Sequence, residues 1–279
     1  MSNSDFQFYW GAASGSAQKA LRKLEEPSVM LNYATKNNYP WEGIDELFID
    51  SGAYSFLMGK GEYATTDTDY LEYVETHNPR FFALRDYLCA PDVLEEHNAT
   101  VETHQTKTTT RHCEMMDLID DRGIATDAIP VSVVQGWQPH QYAEHVDDLR
   151  DHGLLTDRVG IGSVARKNQA ETVRRVIHTV REALPSRCSI HAFGVKRSLL
   201  KFPDIVDVLA SADSCAYEFD QYMNHTVHAD VTTSKSWRDY AFFYLRMKRR
   251  VETLVTAANG AAEPSAIRDD SQEGLDAFL

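Results

Sequence analysis

Eight short apolar, β-rich runs recur along the chain, most of them followed by an amphipathic stretch, and that alternation constrains the fold more than any other feature. The runs are Phe6–Trp10, Val29–Tyr33, Leu47–Asp50, Phe81–Arg85, Ile129–Val134, Arg158–Gly162, Ser189–Phe193 and Ala210–Ser214. Helical periodicity covers Ser16–Glu26, Asp67–His77, Asn98–Arg122, Pro139–His152, Gln169–Leu184, Pro203–Ala210 and Ser234–Ala258. Only Thr35–Glu46 separates the second and third runs, with Pro40 inside it, so a helix there is short or missing. Eight strands alternating with helices predict an α/β fold, a closed (β/α)8 barrel of the TIM type. The runs are nearly continuous in apolar character, as strands covered on both faces should be. An open doubly wound sheet is the alternative, but no G-x-G-x-x-G follows the first run; Gly11-Ala12-Ala13-Ser14-Gly15 reads as a plain βα turn. The barrel, with its C-terminal helix, is expected over 1–258, and 259–279 as a disordered acidic tail.

The chain carries 42 acidic against 28 basic residues, a net charge of −14, and the acids are spread along its length. Arginine outnumbers lysine 18 to 10, a composition expected of a salt-rich cytoplasm. Such acidity argues against nonspecific nucleic-acid binding in dilute buffer but permits a local basic patch. Candidates are Arg166-Lys167, Lys196-Arg197 with Lys201, and the cluster Arg246 to Arg250, which also reads as an ordinary helix face. The four cysteines lie far apart with no C-x-x-C pair, so neither a zinc site nor a disulfide framework is expected, and no metal or cofactor is implied. The start, Met1-Ser2-Asn3-Ser4-Asp5, lacks a basic-then-apolar signal pattern, and no apolar run approaches the roughly 18 residues of a membrane span. A cytoplasmic location is the expectation.

In a barrel the strand ends share one mouth. Here they bring Asp50 and Ser51, Asp86, Gln135 and Gly136, Gly162 and Ser163, His191 with Phe193 and Gly194, and Asp213 and Ser214. Carboxylates and an amide match the donor and acceptor edge of a purine, and glycines let backbone approach closely. Tyr54 and Phe193 have the shape to stack on its faces. Each also has a plainer reading: Asp50 or Asp213 as a helix cap, Asp86 as the partner of Arg85 or Lys196, Gln135-Gly136 as a strand end, His191 as a hydrogen-bonded core histidine.

The ordered strings Asp50-Ser51-Gly52-Ala53-Tyr54, Arg85-Asp86, Val134-Gln135-Gly136, Gly160-Ile161-Gly162-Ser163, Ala192-Phe193-Gly194-Val195 and Asp213-Ser214 resemble the guanine transglycosylases, the queuine tRNA-ribosyltransferase-like enzymes that exchange guanine for a 7-deazaguanine base. The resemblance spans about residues 45–217. It implies Asp50 as general acid/base, Asp213 as nucleophile and Tyr54 as stacking aromatic. Asp86, Gln135 and the backbone around Gly162 would read the base edge, with Gly136 and Ser163 beside them, and Phe193-Gly194 would line the other face. Asp220 is the next candidate should the nucleophile register be shifted.

Departures from the tRNA enzymes are equally informative. The zinc-binding insertion of three cysteines and a histidine has no counterpart. Ala216-Tyr217-Glu218 stands where two phosphate-holding arginines normally follow the nucleophile, and Ala165-Arg166-Lys167 where a glutamate follows the sixth-strand glycines. This stripped pattern is most similar to the DpdA-type branch, which acts on DNA and is known from bacteria and viruses. The implied partners are DNA, single-stranded or with the guanine flipped out, and a free 7-deazaguanine base. Arg166, Lys167, Lys196 and Arg197 would contact phosphates. The implied reaction is a double displacement through a covalent aspartyl–sugar intermediate, the logic of a retaining glycosidase. Rivals are a tRNA-acting relative, a noncatalytic nucleotide-binding barrel, and a barrel hydrolase or aldolase; no predicted strand carries the lysine an aldolase needs. The oligomeric state stays open, a homodimer being one option.

Overall fold

The computed structural model describes residues 6–36, 41, 44, 46–123, 127–218 and 236–260. Eight parallel strands close in sequence order: β1 (Gln7–Ala12), β2 (Ser28–Asn32), β3 (Glu46–Asp50), β4 (Phe81–Ala83), β5 (Ile129–Val134), β6 (Arg158–Ile161), β7 (Ser189–Ala192) and β8 (Ser211–Ser214). The ring is sealed by β1 against β8, with Tyr9 opposite Asp213 and Trp10 opposite Ser214. The fold is the predicted (β/α)8 barrel. Strand limits agree with expectation to within two residues, and the largest shortfall is β4. There Arg85 leaves the ladder: its amide donates to Met115 Sδ at 3.2 Å, and its guanidinium bonds Thr65 O and Asp67.

Helices α1 (Gly15–Lys23), α3 (Asp67–His77), α5 (Val101–Arg122), α6 (Pro139–Asp151), α7 (Ala170–Ala183), α8 (Pro203–Val208) and α9 (Trp237–Ala258) follow the periodic stretches. Two short helices were not anticipated, α2 (Ala53–Lys60) and α4 (Pro91–Glu96). They pack together over the rim after β3 and β4, where Leu57, Ala90 and Val93 form a small apolar cluster. Between β2 and β3 the described residues form one 3₁₀ turn, Tyr33–Thr35, capped by Asn32 Oδ1 accepting from the Ala34 amide at 2.9 Å. Of the expected tail 259–279, only Asn259 and Gly260 are described; Asp220 also lies outside the described residues. Among the described residues no helix is long and apolar enough to cross a membrane.

Two apolar layers hold the barrel. Inward-facing Tyr9, Met30, Phe48, Phe81, Ala83, Val131 and Val133 fill its interior, joined by Phe193. Outside, α9 packs on α1 and α8. It is pinned by Glu26, which is buried and accepts from Lys248 Nζ at 2.6 Å and from the Tyr244 hydroxyl.

The α5–α6 contact buries His112 and His145. Burial pushes the His112 pKa down to about 3 and that of His145 to about 4. His145 must be neutral, because Nδ1 accepts from the Gln135 amide at 2.8 Å. Among the described residues neither ring nitrogen of His112 has a partner. An unfolded histidine takes up a proton near pH 6.5, whereas folded His112 does not until about 3, so its contribution is whole above pH 6.5 and is lost as pH falls below it. In urea unfolding of the parent and His112→Phe, the variant should gain on the parent by about 2 kcal/mol between pH 7.5 and pH 5. Parallel pH dependences of the two proteins would contradict a buried neutral His112.

Candidate active site

A cavity of about 410 Å³ opens at the carboxyl ends of the strands, and Asp50, Asp86, Gln135, Gly162, Ser163, Phe193, Gly194 and Asp213 all line it. Strand register dictates this. Asp50 is the last residue of β3, Asp86 follows β4 by three residues, Gln135 follows β5, and Asp213 lies within β8. The predicted carboxylates therefore meet in one pocket, each buried or nearly so.

Asp86 is held on every side. Its Oδ1 accepts from Ser51 Oγ at 3.3 Å, and its Oδ2 from Gln135 Nε2. The Tyr63 hydroxyl donates to the Asp86 carbonyl at 2.8 Å and accepts from its amide at 3.0 Å. The Gln135 amide group is oriented in turn by Ser163, whose Oγ donates to Oε1 at 2.6 Å and accepts from the Cys89 amide at 2.9 Å. The main chain of Gln135 is fixed by His145 and by Gln105 Nε2, 2.7 Å from its carbonyl. Burial raises the Asp86 pKa to about 6, against the pull of the Gln135 and Ser51 hydrogen bonds.

Asp50 has weaker support: among the described residues only backbone amides reach it, those of Ser51 and of Gly52, the latter at 3.3 Å. Gly52 sits at φ 78°, and a Cβ there would lie 2.7 Å from the Ala34 Cβ, so only glycine makes this turn from β3 into α2. Burial first, then the negative charges of Asp86 and Asp213, raise the Asp50 pKa to about 7. Asp213 accepts at Oδ1 from the Gly194 amide at 2.8 Å and lies 3.3 Å from His191 Nε2.

Gly162 plays a different part from the one expected. Its N–H continues the β5–β6 ladder to Val134 O at 3.0 Å and is not free to read a base. What it supplies is space: a Cβ there would come within 2.1 Å of Gln135 Nε2. Gly136 does not line the cavity; a Cβ on it would meet the Tyr142 ring at 3.0 Å. Phe193 crosses above Gly160 and packs on His191 and Phe48, forming the floor, while Tyr54 stands at the rim, 39% exposed.

The four expected phosphate contacts separate into two pairs. Arg166 and Lys196 line the cavity mouth. The Arg166 guanidinium lies 5.1 Å from the Tyr54 ring and pairs with Asp92, and Lys196 bonds Asn168 Oδ1 at 3.0 Å. Lys167 does not face the mouth. It is 5% exposed, donates to Trp137 O at 2.6 Å and covers the Trp137 ring, because its loop turns inward after the 3₁₀ turn Val164–Arg166. Arg197 is half-buried with its guanidinium 3.6 Å from Met247 Sδ on α9, away from the cavity. Arg85 is not the partner of Asp86 either; it pairs with Asp67.

Besides Gln105 and His145, four more contributors carried no assigned role in the sequence. Ser51 and Tyr63 brace Asp86, Cys89 anchors Ser163, and Glu218 Oε1 accepts from the Ala13 amide at 2.7 Å. The last ties the loop after β1 to the segment after β8, and Tyr217 beside it is buried against Trp10 and Tyr244. Only Ser51 had a legible signal, its place beside Asp50 at a strand end.

A family model described as DpdA, DeoxyPurine in DNA protein A, matches residues 36–273. No curated protein matches the chain significantly.

The Asp50 titration provides a test of the geometry. Asp213→Asn removes one adjacent negative charge, so the Asp50 pKa should fall from about 7 while staying above the ordinary 3.8, since burial is the larger cause. Carboxyl-carbon NMR of labelled aspartate follows this directly. An unmoved Asp50 titration would mean that the two carboxylates do not sense one another.

Proposed function

Because the chain belongs to the DpdA family, a family of transglycosylases acting on DNA, we propose that it replaces guanine in DNA with a 7-deazaguanine derivative by double displacement. The observation that carries this reading is the meeting of Asp50, Asp86 and Asp213 with Gln135 in one cavity.

Asp213 attacks the anomeric carbon of the target deoxyribose as the bond to guanine N9 breaks, forming an aspartyl–sugar ester. Asp50 gives its proton to the departing guanine. With a pKa near 7 it holds that proton in a useful fraction of molecules at neutral pH and can take one back. The incoming 7-deazaguanine, losing its proton to Asp50, attacks the same carbon and frees the Asp213 carboxylate. Two inversions retain the sugar configuration, and no strand is cut.

Asp86 and Gln135 read the edge of the base through the hydrogen-bonding capacity left beyond their mutual contacts. Tyr54 and Phe193 take its faces. Arg166 and Lys196 hold phosphates at the lip, and the target guanine leaves the stack at a cost of a few kcal/mol. The DNA reading is supported by Tyr217 and Glu218: where tRNA enzymes carry phosphate-binding arginines, this chain has one side chain in the core and another bonded to the Ala13 amide.

The experiment is incorporation of labelled guanine or 7-deazaguanine into oligodeoxynucleotides, with denaturing gels to catch the adduct. Asp213→Asn should abolish both exchange and adduct. Asp50→Asn should slow exchange by roughly 10²–10⁴-fold, the usual worth of positioned proton transfer. Asp86→Asn should mainly erode discrimination among bases. Full exchange by Asp213→Asn would place the nucleophile elsewhere.

The excess of 14 negative charges leads us to propose a salt-rich setting as well. Screening relieves self-repulsion, so the melting temperature should rise from low to molar salt, and a flat or falling curve would count against it.

A further inference from the structure

The interior of the barrel carries a directed set of hydrogen bonds that reaches the proposed nucleophile from beneath. His191 sits on β7 with no exposure to solvent. Its Nδ1 lies 2.8 Å from Ser211 Oγ, and its Nε2 lies 3.3 Å from Asp213 Oδ1. Ser211 and Asp213 are alternate residues of β8, so both side chains face inward, and His191 stands directly opposite Ser211 in the β7–β8 register.

The direction of these bonds follows from the donors. Arg158 Nη1, on β6, is 3.4 Å from Ser211 Oγ and can only donate. The single hydroxyl proton of Ser211 is then available to Nδ1, which leaves the imidazole proton on Nε2, pointing at Asp213. A neutral ring is required for this arrangement. Burial lowers the His191 pKa and the Arg158 cation pushes the same way, against the attraction of Asp213. The other groups against the ring are Tyr9 from β1 and Phe48 from β3, neither of them charged, and Phe193. Asp213 itself faces Asp50 across the cavity, and the Cys215 thiol beside it is held neutral by burial.

Both donors to Asp213 converge on one oxygen. The Gly194 amide and His191 Nε2 each reach Oδ1, and among the described residues no donor reaches Oδ2. We propose that His191, fixed as its Nε2–H tautomer by Ser211, is the positioning residue of Asp213, holding Oδ1 and leaving Oδ2 to attack the sugar. This rests on the base-exchange reading above. In the ester, Oδ2 bears the sugar and Oδ1 becomes the carbonyl oxygen, still facing the same two donors. When the incoming base displaces the sugar, the bonding pair returns to Oδ2 and the carboxylate reforms against donors already in place. His191 neither gives nor takes a proton in either step.

The test joins a spectroscopic and a kinetic measurement on the full chain. Nitrogen NMR of imidazole-labelled protein should show His191 as the neutral Nε2–H tautomer, and Ser211→Ala should convert it to a tautomer mixture. In rapid-quench adduct assays His191→Phe should slow formation of the covalent species by roughly 10–100-fold, the worth of one hydrogen bond to a charged group. KM for DNA should change less than about twofold, as expected when an interaction with the reacting group and not with ground-state substrate is lost. His191→Gln, which keeps an N–H at similar reach, should recover most of the rate. An Nδ1–H tautomer in the parent, or a folded His191→Phe with an unchanged adduct rate, would overturn the proposal. Failure of the parent to exchange bases on any DNA would overturn the functional reading alone, because the tautomer and its dependence on Ser211 still decide whether His191 holds Asp213.

Discussion

Everything at the active end depends on the seam between β1 and β8. The last strand of an open sheet would have a bare edge and solvent beside it; closure gives β8 a second neighbour and turns Asp213 toward a filled interior. With Tyr9 paired opposite Asp213, and Phe48 and Phe193 close to His191, the pocket floor is aromatic. Burial in this setting is the largest cause of the raised pKa values of Asp50 and Asp86. Hydrophobic closure and acid–base tuning are one arrangement.

Environment also separates three chemically identical side chains. Asp86 has both carboxylate oxygens filled by donors that are themselves anchored, a setting suited to a fixed recognition group. Asp50 has only backbone amides as donors among the described residues, and two like charges nearby, a setting in which a proton is readily exchanged. Asp213 has two donors on a single oxygen, with none to the other among the described residues. Divergent roles for like residues follow from such differences in solvation and partners.

Much of this was legible in the sequence, because strands and strand ends are encoded locally. The apolar runs gave all eight strands, and small or acidic residues after them marked the mouth at Asp50, Asp86, Gln135 and Asp213. What stayed hidden depends on contacts distant in the chain or on very short elements. Helices α2 and α4 are short, 8 and 6 residues, and α2 contains Gly59. Lys167 and Arg197 look like surface cations in a string of letters, but one is folded under Trp137 and the other against Met247. Gly162 was recognised as important, yet which of its properties mattered depended on where Gln135 lies. His191 sits in an ordinary β pattern, and its meaning came only with Ser211 and Asp213 as neighbours.

The missing side chain at Gly162 has a consequence for how such a pocket can diversify. Every replacement adds a Cβ, and every Cβ there meets the same Gln135 nitrogen. Variation at this position therefore cannot grade selectivity from one base to another; it can only dislodge the amide. New preferences would have to arise by drift at the rim, where Tyr54 and Arg166 have room to change without disturbing the anchored core. Inheritance at this site is divided between a wall that tolerates no novelty and a lip that can accumulate it.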